Sequence, residues 1–109
     1  MPGHDTFAFT DSGFDREVLR SDVPVLVDFW GEGCPPHRQL APTIDVAASE
    51  YAGRLKVGKL DVGANGETAM RYRIRSVPTL LLFKGGQAVD QRVGALGKSD
   101  LQEMIAPHL

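Results

Sequence analysis

Cys34 is the chain's one cysteine and its one candidate nucleophile, and His37, Asp28 and Lys59 are the ionisable residues whose positions bear on it. Cys34 follows an apolar run (Val25, Leu26, Val27, Phe29, Trp30) closed by Gly31 and Gly33, and it precedes Pro35-Pro36. A short β-branched and aromatic run bounded by glycines suits a strand covered on both faces. Beyond it, Leu40, Ile44, Ala47 or Ala48 and Tyr51 recur on one helical face. Proline fits the first helical position because its missing N–H would have no partner there. The spacing therefore predicts Cys34 as the N-cap of a helix that leaves the carboxyl end of a central strand. A thiolate so placed faces the positive end of the helix dipole, which lowers a thiol pKa by about 1–4 units.

Pro35 and Pro36 donate no N–H, so His37 is the first helical residue whose amide reaches the sulfur. A protonated His37 ring adds a second attraction. Three readings of His37 stand together: an activator of the thiolate, an inert ring turned to solvent, or a metal ligand with Cys34. Two ligands fall short of a tetrahedral zinc site, and neither His4 nor His108 has ligand spacing. An intrachain metal site is therefore not expected, and a metal shared between two chains stays open. The alternative for Cys34 itself is a small buried hydrophobe; the glycines, the strand-to-helix turn and the prolines weigh against it. Asp28 interrupts the strand, where an unpaired carboxylate is costly. Burial raises its pKa, and a nearby Lys59 opposes that shift.

These residues need a scaffold, and 109 residues form one domain, 1–109, with a core that needs no staples. Fourteen acidic and twelve basic side chains give a net charge of −2, which suggests neither nucleic acid nor an anionic membrane as partner. No apolar run approaches the roughly 20 residues of a membrane span, and Met1–Thr10 has no apolar leader segment. A cytoplasmic location is the default, and a lone cysteine, excluding any internal disulfide, agrees with a reducing compartment.

In chain order, Thr6–Phe9 reads as a short edge strand. Residues 12–20 read as a helix capped by Asp11 or Ser12, with Phe14, Val18 and Leu19 on its apolar face. The helix from 35 to about 52 contains Pro42, which should kink it, and stops at Gly53. A second buried strand runs from Leu55 to Asp61. A turn of Gly63, Asn65 and Gly66 opens a short helix through Tyr72. Leu80–Phe83 is a strand, Gly85-Gly86 signals a hairpin, and Ala88–Val93 returns. Ser99 with Gln102 forms a capping-box pattern for a last helix with the stripe Leu101, Met104, Ile105 and Leu109. This order implies an α/β fold: a mixed sheet, parallel crossovers first and an antiparallel hairpin last, flanked by helices on both faces.

The chain resembles the thioredoxin family, whose signature is Trp-Cys-Gly-Pro-Cys after a strand ending in Asp-Phe-Trp. Asp28-Phe29-Trp30, Cys34, Pro36 and Pro42 stand in the corresponding places. So do Lys59-Leu60-Asp61, Ser76-Val77-Pro78-Thr79, Leu81-Leu82-Phe83-Lys84-Gly85-Gly86 and Val93-Gly94-Ala95-Leu96, so the resemblance spans essentially the whole chain. It departs where Gly33 replaces the tryptophan, Pro35 the glycine and His37 the second cysteine. The resemblance implies the thioredoxin fold and a cis proline at Pro78 beside the sulfur. It also implies a shallow apolar groove of Trp30, Val77, Pro78, Gly94 and Ala95, on which a substrate chain adds as a strand.

In the family the residue matching Asp28 helps deprotonate the second cysteine. Here that task has lost its object, so Asp28 is a relic, orients His37 through water, or serves another proton transfer. Arg71, Arg73 and Arg75 read as a solvated helix end; beside the groove they would attract acidic partners or the carboxylates of glutathione.

Reducing a disulfide takes attack by one thiol and release by a second, and this chain holds one. The leading expectation is a monothiol exchange protein, monomeric or linked as a dimer through Cys34, resolved by glutathione or a partner's cysteine and needing no cofactor. The alternatives are a non-catalytic binding module using the same groove and an engineered active-site variant that traps mixed disulfides.

Overall fold

The computed structural model describes residues 6–32 and 35–109, of residues 35–38 the backbone alone. Five strands, β1 (Thr6–Ala8), β2 (Val25–Trp30), β3 (Lys56–Asp61), β4 (Thr79–Lys84) and β5 (Gln87–Val93), form one sheet in the order β1-β3-β2-β4-β5. β3 pairs parallel with β1 and β2, while β4 runs antiparallel to β2 and β5. The helices are α1 (Pro35–Glu50), α2 (Gly66–Arg71) and α3 (Lys98–Ile105). The mixed sheet expected from the pattern of apolar runs is present.

Strand alternation sorts the core into two layers. Leu26, Val57, Leu80 and Leu82 meet Leu40, Ile44, Ala47 and Ala48 of α1 and Leu101, Met104 and Ile105 of α3. On the other face Val25, Val27, Phe29, Leu60, Leu81 and Phe83 meet Phe9, Phe14 and Val18. Burying each large apolar side chain is worth about 1.5–3 kcal/mol, so both layers hold β2 at the centre of the sheet. The ring of Phe9 lies on Gly58 of β3, where a Cβ would overlap it.

Four local expectations are corrected. The segment expected as a helix over 12–20 is a single π-type turn, Asp15–Leu19, in which the Arg20 N–H donates to the Asp15 carbonyl (3.0 Å), and Phe14 rather than Asp11 or Ser12 takes its cap position. Gly97 rather than Ser99 precedes α3, with no side-chain cap, and the Gln102 amide donates to Glu50 instead (3.4 Å). Leu109 lies past α3 and is exposed, because a 3₁₀ turn, Ala106–His108, ends the stripe at Ile105. α1 ends at Glu50 and α2 at Arg71, each short of its expected end. α1 continues through Pro42, Gly53 adopts φ +86°, and the hairpin glycines Gly85 and Gly86 take φ +61° and +81°, as a two-residue turn of the primed type requires.

Asp11 caps α2 across 57 residues of sequence. Its carboxylate accepts the backbone N–H groups of Thr68 (2.9 Å) and Glu67 (3.3 Å), and its own N–H donates to Asn65 Oδ1 (2.9 Å). The Thr68 side-chain hydrogen bond, aided by these amides against a desolvation cost, holds the Asp11 carboxyl below its ordinary value of 3.8. A depressed folded-state value contributes stability that is fully present above the ordinary value and is lost as pH falls through the lower one. Asp11→Ala should therefore lower the urea midpoint near about pH 6, with the gap from the parent chain closing as pH falls below about 4. A gap unchanged by acid would contradict the capping role.

Candidate functional site

β2 carries the site's framework. Its last residues, Phe29 and Trp30, lie in register with Leu60 and Asp61 of β3, and α1 begins at Pro35, the residue after Cys34. The N-cap role expected of Cys34, and the His37 ring expected to activate it, lie outside the described residues. A Cβ placed on Gly31 would lie 3.6 Å from Val77 Cγ2 and 3.8 Å from Val62 Cγ2, so the end of β2 runs against the Val77–Pro78 segment.

The Val77–Pro78 peptide bond is cis, and Pro78 is buried. Thr79 fixes this loop: its buried hydroxyl donates to the Ser76 carbonyl at 2.6 Å. The Gly94 N–H donates to the Pro78 carbonyl (2.9 Å), and Gly94 adopts φ +99°, a conformation costly for any side-chain-bearing residue. The structure thus brings Gly31, Val77, Pro78 and Gly94 together at one end of the sheet. Ala95 next to them is exposed, and Val93 keeps 57% of its surface in solvent. Trp30 lines a hollow of about 390 Å³ on the β1 side, with Thr6, Asp45, Lys59, Asp61 and Asn65.

Asp28 is fully buried, in register with Lys59 on one side and Leu80 on the other. The strand pairs around it show the face it shares: Leu26 and Val57 are partners in the α1 layer, so Asp28 and Lys59, two residues on, point to that layer too. The Lys59 Nζ lies 4.0 Å from the Asp45 carboxylate of α1, and Asp45 also accepts the Thr6 hydroxyl (3.1 Å). Sequence reasoning missed Asp45; the available signal was a carboxylate directly after Ile44, on the border of the buried helical stripe.

Arg71, Arg73 and Arg75 are all exposed, with the Arg71 guanidinium 5.4 Å from the Tyr72 ring centroid. Among the described residues no group of three or more His, Cys, Asp or Glu side chains could hold a metal, and no helix is long and apolar enough to cross a membrane.

Around a five-stranded mixed sheet, the chain's one cysteine falls in sequence between the central strand β2 and the start of α1. The thioredoxin family model matches residues 5–107, and the chain belongs to the thioredoxin family. It is 52% identical over 100 residues to thioredoxin 1 of Nostoc sp. (strain PCC 7120), covering 92% of this chain and 94% of the relative. It is 47% identical over 100 residues to the Synechocystis sp. thioredoxin, with the same coverage. To the Pseudomonas aeruginosa thioredoxin it is 48% identical over 96 residues, covering 88% of this chain and 89% of the relative. Proteins of this family act on protein thiols and disulfides, and thiol–disulfide redox function is the general activity this membership supports.

Proposed function

We propose that the chain exchanges thiols through Cys34 alone, with an external thiol completing each cycle. One observation carries this reading: a thioredoxin-family chain has histidine three residues after its only cysteine, so no second thiol exists within it. The Cys34 thiolate attacks the glutathione sulfur of a protein–glutathione mixed disulfide and expels the protein thiolate, which takes up a proton. A second glutathione thiolate then attacks the glutathione sulfur now bonded to Cys34. Cys34 leaves as thiolate, and glutathione disulfide carries away the two oxidising equivalents.

In this reading His37 favours the thiolate, while Asp28 with Lys59 supplies or accepts the proton at the leaving sulfur. Trp30, Val77, Pro78, Gly94 and Ala95 seat the substrate chain. The clustering of Gly31, Val77, Pro78 and Gly94 supports that seat. The protein works as a monomer in a reducing, cytoplasmic setting, where glutathione is at hand.

The parent chain should accelerate reduction of a protein–glutathione mixed disulfide by glutathione, and Cys34→Ser should remove the acceleration. Equal rates with and without the chain would leave a binding module on the same groove as the reading that survives.

A further inference from the structure

We infer that Asp45 is a positioning residue that draws the Lys59 ammonium toward the β1-side hollow and away from Asp28, and so sets the pH at which Asp28 loses its proton. The inference deepens the proposed function, in which Asp28 is the proton-carrying group. Three placements carry it. Asp28 and Lys59 are register partners on one face of the sheet, with Asp28 fully buried. Lys59 and Asp45 are each mostly buried, with side-chain exposures of 26% and 20%, and they sit 4.0 Å apart in the wall of the hollow. The Thr6 hydroxyl, 3.1 Å from Asp45 Oδ1, anchors that carboxylate from the edge strand.

A half-buried pair separated by this distance interacts far more strongly than the same charges in water. Lys59 is thus the register partner of one carboxylate and lies 4.0 Å from another, and in this inference the two compete for its ammonium. The other charged group facing this space among the described residues is Asp61 of β3, whose Oδ1 accepts the Gly63 N–H (2.9 Å). β4 offers only Leu80 opposite Asp28.

The sign follows from the competition. Removing the charge of Asp45 releases the ammonium toward Asp28, stabilises the Asp28 carboxylate and lowers its titration midpoint. The test is the carboxyl ¹³C titration of Asp28 by NMR in a Cys34→Ser chain, which has no thiol chemistry, so this result and the glutathione assay can fail independently. Asp45→Asn should lower the midpoint by roughly half a unit to one unit, and Asp45→Glu should restore it. Lys59→Met should raise the midpoint, and in its background the Asp45→Asn shift should fall below half its size, because the coupling runs through the ammonium. An unmoved midpoint in Asp45→Asn, or an equal shift with and without Lys59, overturns the inference.

Discussion

His37→Cys should turn a chain with little insulin-disulfide reductase activity into one that reduces insulin at least about a hundredfold faster under dithiothreitol. The expectation rests on effective concentration. An external thiol at millimolar levels must find the mixed disulfide by diffusion, whereas a thiol three residues further along the chain attacks intramolecularly, where well-oriented groups reach effective molarities of ~10⁵ M or more. Even a small part of that advantage exceeds the expected gain. The residues proposed to act beside Cys34 are held by the fold: the Gly94 N–H donates to the Pro78 carbonyl, and Asp28 is buried one strand from Lys59. A chain with two thiols and no gain in rate would show that Gly33 and Pro35, where the family pattern has tryptophan and glycine, leave the turn unfit for dithiol chemistry.

Gly58→Ala should be among the most destabilising single-methyl additions available to this chain. The new Cβ would overlap Cε2, Cζ and Cδ2 of Phe9, and Phe9 is itself 2% exposed. Its backbone gives little room to retreat, since the Phe9 N–H donates to the Lys59 carbonyl at 2.8 Å. Overpacking a filled core costs about 1–3 kcal/mol, occasionally more, and this site belongs at the upper end, corresponding to a fall in Tm of roughly 10 °C. Phe9→Leu should lower stability alone yet recover part of the loss when combined with Gly58→Ala, giving a favourable coupling in a double-mutant cycle. Strictly additive losses would mean that Phe9 and Gly58 do not share the contact.

What the sequence made legible was local. β2 announces itself by its apolar run, the β4–β5 turn by two glycines that both need positive φ, and α1 by the recurrence of Leu40, Ile44 and Ala47. What it concealed was long-range. Nothing near Asp11 says that its carboxylate closes α2 rather than the turn beside it, and a Ser99–Gln102 capping pattern gave way to a pairing of Gln102 with Glu50 on α1. The site divides the same way. Asp28 stood out as a charge in a buried strand, but Lys59 faces Asp45 because α1 crosses over β3, a tertiary fact with no local signature. Val77, Pro78 and Gly94 were expected together through family resemblance; the chain brings them together by one backbone hydrogen bond between segments distant in sequence.

The rate of Cys34 alkylation by iodoacetamide, followed against pH in the parent chain and in His37→Ala, tests most directly whether this sulfur is an activated nucleophile. An apparent pKa well below the ~8.5 of a free thiol, moving upward when His37 is removed, is the predicted result. A midpoint at or above the free-thiol value in the folded parent chain, or a cysteine that reacts only on unfolding, would contradict exchange through Cys34.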